Sequence, residues 1–142
     1  MSEQTGNDPI RVRTVTVRTG RIIFDIELPN PAHRYSSPKL AAFVTTQYPN
    51  LLEHACVNGT DDVFGAVVES TSVPHILEHL TIDVQTRDAR EADATFVGTT
   101  EWLDEDQGLA RIEMSFRDDL HALRAFAEAT RFLNTAVLTC IS

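Results

Sequence analysis

The sequence predicts an α+β fold, in which helices pack on an antiparallel sheet of about four strands arranged as two hairpins. Two pairs of segments alternate apolar and polar residues, as half-buried strands do, and a short turn joins the members of each pair. Helical patterns follow each pair, so the element order is β-β-α-(α-α)-β-β-α. The chain has 142 residues and a hydrophobic content of 42%, enough for one domain with a core. We expect this domain to span residues 10–142, after a flexible polar tail of residues 1–9.

The first hairpin is predicted from the segments IRVRTVTVR and RIIFDIEL, which are rich in β-branched residues. In the second segment the side chains of Ile22, Phe24, Ile26 and Leu28 alternate onto one face. The dipeptide Thr19-Gly20 between the segments suits a tight turn. Both strands should therefore offer one apolar face to the helices.

Three helices are expected in the middle of the chain. Ser37 can cap the first, which has proline just inside its start and ends near Tyr48. Asp62 can cap a short second helix, VFGAVVES. Ser72 can cap the third, which should run to about Thr86.

The second hairpin is predicted from ATFVGTTEWL and LARIEMSF, which flank the turn DEDQG. The residues Ala110, Ile112, Met114 and Phe116 alternate cleanly. Asp118 can cap a final amphipathic helix. The last residues, TAVLTCIS, are expected to form a separate short apolar end that docks on the core.

Charge and composition exclude several function classes. The net charge of -9 argues against nucleic acid as a partner, because phosphate binding needs a basic surface, and it is compatible with a basic ligand. No apolar run has the length of a membrane span, and no signal peptide is visible, so the cytoplasm is the expected location. The two cysteines do not form a CxxC pair and are expected to be reduced thiols.

The third predicted helix contains the motif HxxEH, formed by His75, Glu78 and His79. Residues spaced by three and four positions share one face of a helix, so the two imidazoles can bind one ion. Glu78 lies beside them and can accept a proton from a water bound to that ion. Two histidines that donate hydrogen bonds to carboxylates, with no metal, are the alternative interpretation.

A catalytic zinc requires a third protein ligand, and the sequence offers three candidates. His54 is the most attractive by residue type, and Glu101 is a carboxylate near the end of a predicted strand. Cys56 would point to the same side as His54 if the segment is extended. The sequence leaves all three open.

The central part of the chain resembles the N-terminal domain of cyanophycin synthetases. Members of that family carry a leucine-rich segment ending in Glu-His-x-Cys, then a Gly-Phe-containing helix, then His-x-x-Glu-His in an aliphatic helix ending at Gln. The resemblance covers about residues 10–138 and is dense between residues 49 and 85. The matching positions are Glu53, His54, Cys56, Phe64, His75, Glu78, His79 and Gln85.

The resemblance implies a domain that engages cyanophycin, a poly-aspartate backbone decorated with arginine. In some members it implies a metal-dependent site that cuts this polymer. This chain departs from the family's pattern in two places: FVGTTEW replaces an arginine-bearing segment and keeps only Glu101, and Pro74 replaces a common glycine. These 142 residues contain no Gly-rich phosphate loop, so synthetase activity is not expected from them.

The leading hypothesis is a zinc-dependent hydrolase, peptidase- or amidase-like, acting on a peptide-like or arginine-rich basic substrate. Glu78 would be catalytic, and His75 and His79 would bind the metal together with His54 or Glu101. Another divalent transition metal could replace zinc. The alternatives are a non-catalytic binding module, metal-free or with a structural metal, and a protein that only carries or senses the ion. The oligomeric state stays open, and a homodimer is compatible with this layout.

Overall fold

The computed structural model describes residues 8–54, 63–88 and 96–141. Within these residues the chain forms four strands and three α-helices. The strands are β1 (Arg11–Arg18), β2 (Arg21–Glu27), β3 (Gly98–Asp104) and β4 (Leu109–Ser115). The helices are α1 (Pro38–Gln47), α2 (Val73–Asp88) and α3 (Asp119–Cys140).

The strands form one antiparallel sheet in the order β1-β2-β4-β3. Each predicted hairpin is present, and the two hairpins meet where β2 pairs antiparallel with β4. Gly20, with φ of 76°, makes the turn of the first hairpin, a backbone conformation that suits glycine. The α+β prediction and the two-hairpin sheet are therefore confirmed.

The helices cover one face of this sheet. In β2, Ile22, Phe24 and Ile26 are buried on that face. Phe24 stacks on Phe126 of α3 with ring centroids 3.7 Å apart. Helix α2 packs beside α3 and against β3 and β4, so one side of α2 faces the sheet and another faces α3. Among the described helices, none is long and apolar enough to cross a membrane.

The predicted caps of α1 and α3 are confirmed. The side chain of Ser37 accepts a hydrogen bond from the backbone N–H of Leu40, and the side chain of Asp118 accepts one from the backbone N–H of Leu120. The prediction that TAVLTCIS forms a separate apolar end is wrong, because α3 continues through Cys140. No helix breaker interrupts the segment, and Leu133 is followed by buried residues at helical spacing.

The predicted short helix VFGAVVES is also wrong: the chain forms only a 3₁₀ turn, Phe64–Ala66, followed by further turns. Gly65 lies so close to the preceding chain that a Cβ atom there would be 2.8 Å from the carbonyl oxygen of Leu52. The proposed cap, Asp62, lies outside the described residues. So do residues 1–7, most of the predicted tail.

The start of α2 is held in place by the loop that follows β2. Tyr35 forms an isolated antiparallel bridge with Ser72, and the backbone N–H of Val73 donates to the carbonyl of Arg34 at 2.9 Å. Ser72 accepts a hydrogen bond from the backbone N–H of His75, as predicted for the helix cap. The first turn of α2 therefore has a fixed direction relative to the sheet.

Candidate metal centre

Helix α2 brings the three residues of the HxxEH motif onto one face. The Nε2 atoms of His75 and His79 lie 3.1 Å apart. Ligand atoms of His75, Glu78 and His79 all lie within 4.8 Å of one another. Glu78 and His79 are each 3% exposed, so the group lies at the edge of the core rather than on the surface.

The spacing of the two imidazoles suits a zinc ion. Two Zn–N bonds of about 2.0–2.1 Å at a tetrahedral angle separate the nitrogens by about 3.3 Å. The 3.1 Å between the Nε2 atoms of His75 and His79 is close to this value. These two side chains, with Glu78 beside them, could hold a metal ion.

Each imidazole also has a partner for its second nitrogen. Nδ1 of His75 lies 2.8 Å from the hydroxyl of Thr71. Nδ1 of His79 lies 3.0 Å from Nδ1 of His54. Nε2 of His54 in turn lies 3.2 Å from a carboxylate oxygen of Asp83. Metal-binding histidines commonly have such partners, which orient the ring.

An apolar wall keeps the histidines neutral. The ring of Phe64 stacks on that of His79 at 4.2 Å and meets His75 edge-on at 5.1 Å. Burial, followed by the nearby charges of His75 and His54, lowers the pKa of His79 to about 3. Burial also lowers the pKa of His75. Both rings are therefore in the deprotonated state that a metal requires.

Glu78 is held by β3. The hydroxyl of Thr100 donates to Oε1 of Glu78 at 2.6 Å, and Oε2 lies 3.9 Å from Nε2 of His79. Burial raises the pKa of Glu78 to about 7, although the Thr100 hydrogen bond and the charge of His54 act in the opposite direction. A carboxylate of this pKa can both accept and release a proton near neutral pH.

A cleft between the start of α2 and strand β3 leads to His75 and Glu78. Its walls include Thr99, Glu101 and Trp102. A small polar molecule can therefore reach the donor group from solvent.

The candidates for a third ligand lie in different places. Glu101 is exposed on β3, opposite Arg111 of β4, and contributes to the cleft wall. His54 lies against His79, but it is not a member of the compact donor group. Cys56 lies outside the described residues.

Sequence reasoning missed three polar neighbours of the motif: Thr71, Asp83 and Thr100. The helical spacing could have revealed Asp83, because it follows His79 by four residues and so shares its face. Thr71 likewise precedes His75 by four residues, although it lies before the helix. Thr100 reaches Glu78 from another element, and no local pattern indicates that contact.

The fold and the site together define a small α+β domain with a candidate metal centre on its buried helix. The family model of the cyanophycin synthase-like N-terminal domain matches residues 21–138. This match spans most of the chain, and the protein belongs to that family, as its motifs indicated. A comparison with curated proteins found no match.

Proposed function

We propose that the protein is a metal-dependent hydrolase, peptidase- or amidase-like, with zinc as the expected ion. The observation that carries this proposal is the position of Glu78. Its carboxylate lies 3.9 Å from the Nε2 atom of His79, which faces the Nε2 atom of His75, at the end of an open cleft. A base, a pair of neutral imidazoles and access from solvent are three of the parts that such a reaction needs, and a third protein ligand to the metal is the fourth.

Each residue has a distinct role in this proposal. His75 and His79 hold the metal, which when bound acts as a Lewis acid and lowers the pKa of its water. Glu78 accepts the proton of the attacking water and returns it to the leaving amine. Thr100 orients the Glu78 carboxylate by donating to Oε1, so that Oε2 is left for the water.

An arginine-bearing, aspartate-based polymer is the substrate class that family membership favours. The negative net charge of the chain, -9, favours a basic substrate as well. Glu101 and Trp102 on the cleft wall offer a carboxylate and an aromatic ring, both of which attract guanidinium groups.

The test begins with metal content, measured by plasma mass spectrometry on the untagged protein and on His75→Ala and Glu78→Gln. We expect one zinc per chain in the protein and in Glu78→Gln, and a loss of zinc in His75→Ala. The zinc-loaded protein is then incubated with arginine-decorated poly-aspartate, with undecorated poly-aspartate and with an unrelated basic peptide, and released amines are quantified. Cleavage that is absent in Glu78→Gln supports the hydrolase, whereas zinc binding without any cleavage overturns it.

A second candidate is a metal-free binding module, and one observation favours it. The chain Asp83, His54, His79, His75, Thr71 gives every imidazole nitrogen a hydrogen-bond partner without an ion. Absence of zinc in every preparation, with no uptake on titration, would favour this module. Tight binding of zinc without hydrolysis would instead favour a protein that carries or senses the ion.

A further inference from the structure

We infer that His54 and Asp83 are positioning residues: they form a hydrogen-bonded relay behind His79 that fixes which nitrogen of His79 faces the metal position. The relay itself is a property of the metal-free protein. Its consequence for metal affinity rests on the function proposed above.

The first argument is direction. The two nitrogens of an imidazole point towards opposite edges of the ring. His79 directs Nε2 towards His75 and Nδ1 towards His54. His54 therefore lies on the far side of the His79 ring from the pair of Nε2 atoms, which is the place of a supporting residue and not of a ligand to the same ion.

The second argument is the position of the protons. A carboxylate oxygen accepts hydrogen bonds, so the 3.2 Å contact of Asp83 places the His54 proton on Nε2. Nδ1 of His54 is then an acceptor, and the 3.0 Å contact requires that Nδ1 of His79 carry the proton. Nε2 of His79 is consequently left with a free lone pair, the state that binds a metal.

The third argument is rigidity. The backbone N–H of His54 donates to the carbonyl of Leu51 at 3.1 Å, and the carbonyl of His54 accepts from Phe64 at 2.6 Å. The side chains of His54 and Asp83 are only 17% and 11% exposed. The relay thus has a fixed backbone and little competition from water.

The hydrogen-bond partner of Nδ1 of His75, the Thr71 hydroxyl, is more adaptable than the Asp83 carboxylate. In the metal-free chain its Nε2–H donates to His79, and its Nδ1 accepts from the Thr71 hydroxyl. A hydroxyl can also accept, so His75 can move its proton to Nδ1 and free Nε2 without losing a partner. The carboxylate of Asp83 can only accept a hydrogen bond, so the protons of His54 and His79 cannot move in this way. Of the two histidines of the motif, His79 is therefore the one whose tautomer is fixed before a metal binds.

The experiment measures histidine tautomers in the zinc-free protein by long-range ¹H–¹⁵N correlation spectroscopy. We expect single tautomers, Nε2–H for His54 and Nδ1–H for His79. In Asp83→Ala both signals should move towards averaged tautomer shifts. Asp88→Ala is the matched control, since Asp88 lies on the same helix and contacts His121 at 3.5 Å. It should move only the His121 signals.

A second readout is zinc affinity, measured by competition with a chelator, together with the visible spectrum of the cobalt-substituted protein. Asp83→Ala and His54→Phe should each weaken zinc binding by about 10- to 100-fold. Both should keep one metal per chain and the cobalt band of the unsubstituted protein. His54→Phe keeps a ring in place, so it also serves if Asp83→Ala does not fold.

The outcomes separate the relay from the proposed function. A His79 signal with the proton on Nε2, or one that Asp83→Ala leaves unmoved, overturns the relay. A cobalt spectrum altered by His54→Phe makes His54 a ligand and also overturns it. If the unsubstituted protein takes up no zinc, the proposed function fails, and the tautomer measurement still decides the relay.

Discussion

Gly98 of β3 lies directly against Glu78 of α2. A Cβ atom on Gly98 would be 3.1 Å from both Cγ and Oε2 of Glu78, and 3.0 Å from the carbonyl oxygen of Glu113. Thr100, two residues further along the same strand, faces the same side and donates to Oε1. Two residues of the edge strand β3, Gly98 and Thr100, therefore restrict the position of the Glu78 carboxylate.

Replacing Gly98 by alanine should displace Glu78. The added methyl group would meet a backbone carbonyl and the carboxylate at distances that real side chains rarely tolerate, so the carboxylate must move. We expect a loss of about 1–3 kcal/mol in the free energy of unfolding, measured by urea denaturation. We also expect at least a tenfold lower rate of hydrolysis, with zinc content unchanged.

Gly20→Ala is the control for this change. Gly20 has φ of 76° but no atom within 4 Å of its missing side chain, so alanine there strains a turn far from the site. It should lower stability by about 1–2 kcal/mol and leave hydrolysis by the folded protein unchanged. Equal activity losses in both variants would show that Gly98 does not act through Glu78.

Thr100→Val should raise the pKa of Glu78 further. The Thr100 hydroxyl stabilises the ionised carboxylate, and valine keeps the shape of the side chain without the donor. Loss of a hydrogen bond to the ionised carboxylate should raise the pKa of Glu78 by about one unit. The acidic limb of the pH–rate profile should therefore move to higher pH by about one unit, while Thr16→Val, at an exposed position of β1 outside the cleft, should leave it in place.

The fold was largely predictable because its signals are local. Alternation in RIIFDIEL and LARIEMSF depends on one buried face per strand, and the caps at Ser37 and Asp118 depend on residues three positions apart or fewer. The strand order was not predictable, because the β2–β4 pairing joins residues about 90 positions apart. Nothing local distinguishes it from other arrangements of two hairpins.

The candidate site was also predictable only where its residues are close in sequence. His75, Glu78 and His79 are close because one helix carries them, and helical periodicity alone predicts that. The roles of His54 and Glu101 depend on how the 3₁₀ turn Pro49–Glu53, which ends at His54, and the edge strand β3 pack against that helix. Gly98 and Thr100 act on Glu78 through the same packing, which the sequence does not reveal.

Arg34 should be a principal stabilising residue outside the site. The residue is 9% exposed, and its guanidinium group donates to the carbonyls of Leu28 and Pro29 at 2.9 and 3.2 Å. It also reaches the carbonyls of Glu105 and Asp106, which links the end of β2 to the turn between β3 and β4. Arg34→Met removes all of these side-chain hydrogen bonds, although the carbonyl of Glu105 still accepts from the backbone N–H of Gly108, and should cost about 3 kcal/mol or more in urea denaturation.

Lysine at this position should not restore the lost stability. One ammonium group cannot reach carbonyls that the planar guanidinium contacts on several sides. Arg34→Lys should therefore lie within about 1 kcal/mol of Arg34→Met, whereas Arg18→Met, at an exposed position, should change stability by less than about 0.5 kcal/mol. Full rescue by lysine would contradict the assigned role.

Between pH 4.5 and 6.5 the metal-free protein should show a smaller change of stability with pH than Glu78→Gln does, because Glu78 and His79 act in opposite directions. Glu78 has its pKa raised from 4.5 to about 7, so the native state keeps a proton that the unfolded chain loses, and stability falls as pH rises through this range. His79 has its pKa lowered from 6.5 to about 3, so the unfolded chain binds a proton that the native state does not, and stability falls as pH decreases below 6.5.

Glu78→Gln removes the first of these effects and exposes the second. Between pH 4.5 and 6.5 its free energy of unfolding should rise with pH by about 1.4 kcal/mol per unit, with His75 acting in the same direction as His79. Urea denaturation at three pH values in the presence of a chelator measures this slope. The control, Glu69→Gln at an exposed position, should follow the unsubstituted protein. If Glu78→Gln also runs parallel to the unsubstituted protein, Glu78 does not keep its proton in the folded state, and the raised pKa assigned to it is wrong.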